Sequence, residues 1–158
     1  MITLENIIEN INEYCKKYHL NVISENYWKN IYCLFPKEVD DSSYTAYWPS
    51  SYNSINGDKP GIYIILGKQM NVLYIGKASL NNRINKRLAS YFKYEKVGKG
   101  CHVNHSNWTE KPYYIVGFPV EFPYEASSLE EYLLSKSLPP DNKIGLQQQI
   151  TDCQLHTT

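Results

Sequence analysis

Two apolar segments in the middle of the chain, each bounded by glycine, constrain the fold more than any other feature. The first is GIYIIL at 61–66 and the second is VLYIG at 72–76, and both are rich in β-branched and aromatic residues. The mostly polar residues 67–71, GKQMN, separate them, so the pair predicts two strands of one β-hairpin. The hairpin would bring Tyr63 and Tyr74 into one small sheet. A phenol ring can pack in such a sheet while its hydroxyl offers a hydrogen-bond donor or acceptor to a reacting group.

The segments before the hairpin predict helices and a loop. Residues 3–18 carry apolar side chains at helical spacing behind a suitable N-cap residue, Thr3. A second helix is predicted to begin at Ser24 and to end at Pro36, with an apolar face formed by Tyr27, Trp28 and Ile31. Residues 37–60 are polar and aromatic with interspersed proline and glycine, which predicts a loop.

The segments after the hairpin predict further helices and one more strand. Residues 81–92 favour a helix, and 96–112 favour a loop that contains glycine and histidine. The apolar run 113–120 predicts a third strand. Residues 127–137 predict a last helix, which the prolines at 139 and 140 would end. The resulting fold class is α+β, with a small, mostly antiparallel three-stranded sheet flanked by helices.

Several motifs follow the hairpin in a fixed order. RLASYF lies at 87–92, LEEYLL lies at 129–134, and Pro139 and Asn142 come after them. Together with the two glycine–tyrosine segments, these motifs resemble the GIY-YIG nucleases, which are small metal-dependent enzymes that cut phosphodiester bonds. The resemblance covers about residues 60–142. It implies the same three-stranded sheet and suggests three parts: a helical extension at 1–59, a catalytic core at 60–142 and a tail at 143–158.

The resemblance implies a set of site residues and their roles. Glu130 would hold one Mg²⁺ or Mn²⁺ ion together with water and phosphate oxygens. Arg87 would face the charge that grows on the phosphate. Tyr63 would deprotonate or orient the attacking water, and Lys77 would lower the pKa of that phenol or bind phosphate. The complete set of catalytic candidates is Tyr63, Tyr74, Lys77, Arg87, Tyr91, Glu130 and Asn142.

Two of these assignments have a competitor nearby. In the repair-incision branch of the family the glutamate precedes the asparagine by about twelve residues, and Glu130 reproduces this spacing whereas Glu131 does not. The segment 79–82 makes the chain about three residues longer than the family pattern before the arginine, so Arg83 competes with Arg87. The two arginines are four residues apart and would share one helix face. We favour Arg87 because it alone is followed by the Leu-x-Ser-Tyr-Phe continuation.

Each candidate also has a purely structural interpretation. The sequence SSLE at 127–130 forms a capping box in which Glu130 would bond only to the helix start. Tyr63 and Tyr74 could be ordinary strand aromatics, and Asn142 could be a turn residue after two prolines. Tyr91 could belong to the core. The joint order of these residues, rather than any one of them, favours a site.

The distribution of charge predicts contact with nucleic acid, although the chain has no net charge. Lysine plus arginine and aspartate plus glutamate each total 16, but residues 77–99 contain a single acid, Glu95. The basic residues predicted to bind phosphate there are Lys77, Arg83, Lys86, Lys93, Lys96 and Lys99. A solvated helix face is the alternative explanation for such a run.

These observations predict an endonuclease that hydrolyses DNA, double-stranded more readily than single-stranded, in restriction or phage defence. The alternatives are a non-catalytic nucleic-acid-binding module on the same scaffold and an RNase or toxin. The N-terminal helix has a stripe that includes Ile7, Ile8 and Ile11, which would either pack on the sheet of its own chain or join two chains as a homodimer on DNA.

Four cysteines without paired spacing, and no long apolar segment, predict a reduced cytoplasmic setting without membrane contact. A zinc site could in principle use Cys101, His105, Cys153 and His156, with His102 near them. Their spacings match no standard finger, so zinc is not favoured.

Overall fold

The computed structural model describes residues 1–20, 31–35, 38, 56–94, 101–104 and 107–142. In chain order the elements are α1 (Leu4–Tyr18), β1 (Ile31–Cys33), β2 (Gly61–Leu66), β3 (Val72–Ala78), α2 (Ile84–Tyr91), β4 (Phe92–Tyr94), β5 (Cys101–Val103), β6 (Tyr114–Pro119) and α3 (Glu125–Lys136). None of the described helices combines the length and apolar character that crossing a membrane requires.

The main sheet is antiparallel and has the strand order β1-β6-β2-β3. Strands β2 and β3 form the predicted hairpin, and β6 is the predicted third strand. The α+β fold class is therefore confirmed. The sheet has one strand more than the three that were predicted, because β1 pairs with β6 on its outer side.

Strand β1 replaces the end of the predicted second helix. Ile31 was assigned to the apolar face of that helix, but it pairs with Val116 of β6. All three residues of β1 are buried, and so is Leu34 after them. A short apolar run that is buried on both sides has no helical or strand periodicity, so its pattern cannot distinguish the two structures. The earlier part of the predicted helix, residues 21–30, lies outside the described residues.

A second, two-stranded sheet lies within the region predicted to be a helix end and a loop. Helix α2 ends at Tyr91, one residue before the predicted end, and Phe92 begins β4. Strand β4 pairs with β5, which lies inside the predicted loop. Phe92 is 1% exposed and stacks on Trp108, with ring centroids 6.5 Å apart. The chain changes from helix to strand at this tertiary contact. No local sequence pattern predicts it.

Helix α1 packs into the core of its own chain. Thr3 is its N-cap, as predicted, and accepts a hydrogen bond from the Asn6 amide. Leu4, Ile7 and Ile11 have no exposed surface and share one apolar cluster with α3 and the sheet. The apolar stripe is thus buried within one chain, which leaves it unavailable as the dimer contact considered above.

The two faces of the sheet carry different side chains because alternate residues of a strand point to opposite sides. On β2, Ile62 and Ile64 face the cluster that contains α1 and α3. Tyr63 and Ile65 face a second cluster, which contains α2. We call these sides the α1/α3 face and the α2 face.

Helix α3 begins at Glu125, two residues before the predicted start. Ser127 and Ser128 are therefore inside the helix, and neither is its N-cap. The turn before the helix is closed instead by Glu125, whose carboxylate accepts a hydrogen bond from the Phe122 amide at 3.0 Å. The capping-box explanation for Glu130 is wrong, because the helix has already started when the chain reaches that residue.

Candidate active site

The glycines of the two motifs make room for the hairpin's first tyrosine and for a neighbouring strand. Tyr63 lies opposite Gly76 on β3 and opposite Gly117 on β6. A methyl group built on Gly76 would overlap with the Tyr63 ring. Gly61 has a φ of +156°, and a methyl group there would collide with the Phe118 carbonyl. The two motifs are thus complementary in space: a glycine of one accommodates the tyrosine of the other.

Three phenols meet on the α2 face. The Tyr63 hydroxyl donates to Tyr91 Oη at 3.4 Å, and the Tyr91 hydroxyl donates to Tyr74 Oη at 3.5 Å. The three ring centroids lie 5.8 to 6.2 Å from one another. We call Tyr63, Tyr74 and Tyr91 the tyrosine cluster. Tyr91 reaches it because it is the last residue of α2, directly before the chain turns into β4.

Arg87 lies beside this cluster. It is one turn before Tyr91 on α2 and is close enough to Tyr63 for the two groups to shift each other's pKa. Arg83 is the N-cap residue of α2 and is exposed. The structure therefore brings Arg87 to the phenols, as the sequence continuation favoured, and the extra residues are accommodated before the helix in a turn closed by Asn82 N–H donating to Ser79 O.

The environment of the phenols keeps them protonated. Burial, followed by the proximity of Tyr91 and Tyr74, raises the pKa of Tyr63 above its ordinary value, and Arg87 opposes this only in part. Burial also raises the pKa of Tyr74, and so do its bond to Tyr91 and the nearby charge of Glu130. A tyrosine already has a pKa of about 10 in water. Both phenols are consequently neutral at neutral pH.

Glu130 and Lys77 lie on the other face of the same strand. Ile75 and Lys77 point away from Tyr74 and Gly76 along β3, so Lys77 faces α3. Its Nζ lies 2.8 Å from Glu130 Oε2, and the Glu130 side chain is 14% exposed. Glu131, one residue later, is exposed. The expected arrangement, in which Lys77 lies beside both phenols, is therefore replaced by one in which Lys77 binds the carboxylate.

Because β3 is an edge strand, a charge on one face of the sheet can act on a side chain that lies on the other face. Glu130 lies on the α3 side, yet it is close enough to raise the pKa of Tyr74 on the other side. Phenols and an arginine thus approach the strand from one side, while a carboxylate and an ammonium approach it from the other.

Asn142 braces the edge strand. Its Oδ1 accepts from the Ile75 amide at 2.9 Å, and its Nδ2 donates to the Ile75 carbonyl at 2.8 Å. The preceding residue, Asp141, accepts from the amide and the hydroxyl of Thr109 at 2.9 and 3.2 Å. The segment after α3 therefore ties β3 to the stretch of chain that carries Trp108.

Part of the predicted phosphate-binding set surrounds this region. Lys86 on α2 and Lys93 on β4 are exposed, as is Arg83. Lys96 and Lys99 lie outside the described residues, as do three members of the zinc set, His105, Cys153 and His156. Within the part of the chain that the structure describes, no group of three or more His, Cys, Asp or Glu side chains is arranged to hold a metal ion.

Sequence reasoning did not identify Trp108, which covers the tyrosine cluster. Its ring lies edge-on to Tyr74 at 6.1 Å and contacts Tyr91 at 5.9 Å between centroids. It occurs in a polar segment without apolar periodicity, so only its size and its isolation among polar residues could have suggested a packing role.

Comparison with known families agrees with this geometry. The family model of the UvrC-like GIY-YIG domain matches residues 59–142, which include every catalytic candidate described above. The chain belongs to the GIY-YIG family. No curated protein and no solved structure shows a significant match. As a GIY-YIG domain, the matched segment carries a fold used by endonucleases that act on nucleic acid.

Proposed function

We propose that this protein is a divalent-metal-dependent endonuclease that hydrolyses DNA phosphodiester bonds. The observation that carries the proposal is that two groups of polar side chains approach the edge strand β3 from opposite faces of the sheet. Arg87 and three neutral phenols lie on one side, and the Glu130 carboxylate lies on the other, close enough to influence Tyr74. The phenols already satisfy one another's hydrogen bonds, so the arginine and the carboxylate beside them exceed what burial of a tyrosine requires.

The carboxylate fits a hard cation. Glu130 already binds one positive charge, the Lys77 ammonium at 2.8 Å, and is largely shielded from solvent. A Mg²⁺ or Mn²⁺ ion binds through one or two carboxylates and keeps several waters and phosphate oxygens as its remaining ligands. Bound there, such an ion would supply Lewis-acid stabilisation of the phosphate and of the leaving oxygen. Lys77 would then be free to contact phosphate.

Arg87 has the geometry of a group that stabilises charge on phosphate. Its planar, permanently protonated fork can bind two phosphate oxygens at once. Its proximity to Tyr63 and the other phenols places it beside the edge strand β3. Positioned donors of this kind stabilise the charge that develops in the transition state more than the charge of the ground state.

We assign the contact with the attacking water to Tyr74 rather than to Tyr63. The resemblance suggested Tyr63, but that side chain has no exposed surface and its hydroxyl already donates to Tyr91. Tyr74 is partly exposed and is the phenol that senses Glu130. Tyr63 then acts by holding Tyr91 through its hydroxyl, and Asn142 acts by holding β3.

A single site cuts a single strand. A double-strand break therefore requires two chains or two successive cuts, and a homodimer on DNA would have to use a surface other than the buried stripe of α1. Restriction or phage defence is the biological setting that we propose for this activity.

The test uses two adjacent glutamates as a matched pair. Plasmid DNA, single-stranded DNA and RNA are incubated with wild type, Glu130→Gln and Glu131→Gln in Mg²⁺, Mn²⁺ or EDTA. We expect wild type and Glu131→Gln to cut DNA only with metal, and Glu130→Gln to lose at least about 10²-fold in rate, since removal of a single transition-state contact commonly costs that much. Thermal melting of all three proteins controls for folding.

Each alternative has its own outcome in this experiment. Cleavage of RNA alone would establish an RNase, and binding without cleavage by wild type would establish a non-catalytic module. Full activity in Glu130→Gln together with loss in Glu131→Gln would contradict the assignment of the carboxylate.

A further inference from the structure

A cavity of about 420 Å³ adjoins the tyrosine cluster on the α2 side. Its walls come from three separate parts of the chain: Phe35 after β1, the strand β5, and the segment from Trp108 to Pro112. We call it the Trp108 pocket. Its size falls in the range of pockets that bind small organic ligands, about 300 to 1,000 Å³.

The pocket shares a wall with the candidate active site. The Trp108 ring lines the cavity and also contacts Tyr74 and Tyr91, with centroids 6.1 and 5.9 Å away. Successive bases of a strand are about 3.4 Å apart along the helix axis. A strand whose phosphate lies at the tyrosine cluster therefore reaches the pocket with a base one or two nucleotides away.

The chemistry of the walls suits a flat heteroaromatic ring. Phe35 and Trp108 supply aromatic surface, although Lys111 Nζ lies 3.7 Å from the centroid of the Phe35 ring and covers one of its faces. His102, Glu110 and Lys111 supply a few polar groups. A pocket with apolar aromatic walls and few polar groups binds a ring by stacking and orients it by hydrogen bonds. On the rim, Lys93 of β4 lies directly across from His102 of β5, and both are exposed. A cation at this position can contact the phosphate that follows a bound base.

The walls are held in place before any ligand binds. Asp141 fixes Thr109, the residue after Trp108, through two hydrogen bonds. Glu38 accepts from the Lys111 ammonium with both carboxylate oxygens at 2.8 Å. A binding site whose parts are already fixed loses less conformational entropy when its ligand arrives.

Trp108 also has an unused donor. Its indole N–H is buried and has no hydrogen-bond partner within the described part of the chain. Buried donors are nearly always paired, and an unpaired one costs free energy. Because this N–H has no accessible surface, Trp108 offers the cavity its ring surface and no hydrogen-bond donor.

We propose that the Trp108 pocket receives an unstacked base of the substrate strand, one or two nucleotides from the scissile phosphate. This inference rests on the proposed function and adds a substrate preference to it. Taking a base out of a duplex costs free energy, and the cost is lowest where the base is mismatched or already unpaired. The protein should therefore bind more tightly to DNA that carries an unpaired base near the position of cleavage.

The experiment measures binding rather than cleavage, so that it does not depend on catalysis. Glu130→Gln protein in EDTA is titrated into fluorescent oligonucleotides, single-stranded and duplex, in which one base at a time is replaced by an abasic site. We expect one position at which removal of the base weakens binding about tenfold, the scale of losing one base–aromatic stacking contact. A duplex with a mismatch at that position should bind more tightly than the matched duplex.

Two pocket variants and one matched control assign the effect to the cavity. In Phe35→Leu and in the exposed rim variant His102→Ala, intact and abasic strands should bind nearly equally. Phe122→Leu makes the same chemical change as Phe35→Leu at a phenylalanine outside the pocket that is 46% exposed, and it should keep the tenfold difference. Thermal melting confirms that each variant is folded.

The outcomes distinguish this inference from the proposed function. If DNA binds but no abasic position differs from the others, or if the pocket variants keep the difference, the base-binding role is wrong while the nuclease proposal stands. If neither DNA nor the same oligonucleotides made as RNA bind to the wild-type protein, both proposals fail together.

Discussion

The two faces of the central sheet use the same strands for different purposes. Toward α1 and α3, β2 places Ile62 and Ile64, and that face is a continuous apolar core. Toward α2, the same strand places Tyr63, whose hydroxyl enters a chain of three hydrogen-bonded phenols beside Arg87. Both faces bury apolar side chains, but only the α2 face also contains a chain of hydrogen-bonded phenols.

The comparison shows why the site lies at the edge of the sheet rather than at its centre. A central strand would separate the phenols of one face from the carboxylate of the other. At the edge strand β3, Glu130 on α3 can influence Tyr74 across the strand. At this edge, side chains of the α1/α3 face and of the α2 face can therefore act on one another without any opening of the core.

The largest expected effect concerns the α1/α3 face. Ile7→Asp places a charge in the α1/α3 face at a residue with no exposed surface, and an unpaired buried charge is far too costly for a domain of this size. We expect loss of the folded state, measured by circular dichroism and by sedimentation. Asn12→Asp introduces the same carboxylate at an exposed position of the same helix and should remain folded. A folded, monomeric Ile7→Asp protein would show that α1 is dispensable for the core.

The next largest effect concerns the α2 face. Arg87→Ala should lower the single-turnover rate of DNA cleavage by about 10² or more, because Arg87 is the arginine that lies beside the tyrosine cluster. Arg83→Ala at the N-cap of α2 should mainly weaken binding and reduce its dependence on salt. Rates at saturating protein and binding at several salt concentrations separate the two effects. The reverse pattern would mean that Arg83 is the arginine that meets the phosphate during reaction.

The smallest expected effect compares the two faces by the pH dependence of the free energy of unfolding. The folded state raises the pKa of Tyr63, so the unfolded chain loses this proton first, and folding stability falls as the pH rises above about 10. Tyr63→Phe should therefore lessen the fall in the free energy of unfolding between pH 9 and 11 by about 1.4 kcal/mol. Urea unfolding at both pH values measures it.

Ile64→Val, one residue away on the opposite face, provides the control. It should cost about 1 kcal/mol at both pH values, because a missing methylene group does not titrate. Parallel pH dependences for wild type and Tyr63→Phe would contradict the burial argument.

The sequence was sufficient where a local pattern or an ordered motif carried the information. The hairpin, helix α1 with its Thr3 cap, and strand β6 follow from apolar periodicity and turn residues. The motif order also led to Arg87, which the structure places at the phenols. These features depend on residues that are close together in the chain or are arranged in a fixed order.

Features that depend on distant partners were not predictable in this way. Strand β1 is a strand because β6 is available beside it, and β4 follows α2 where Phe92 stacks on Trp108. Lys77 does not lie beside the phenols for a simpler reason: it comes three positions after Tyr74 on the strand, and an odd separation places two side chains on opposite faces. The side of the sheet was encoded in the sequence, whereas the partner on that side, Glu130, was supplied by the fold.

The clasp between Asn142 and Ile75 has a consequence beyond one chain. An edge strand with free amides and carbonyls is a template on which another molecule can add a strand, which is a route to aggregation. Here the amide of Ile75 donates to a carboxamide and its carbonyl accepts from the same group, while the Val72 amide is taken by the Ile2 carbonyl. The Asn142 side chain, which shapes the site, therefore also blocks part of the sheet edge from pairing with a strand of another molecule.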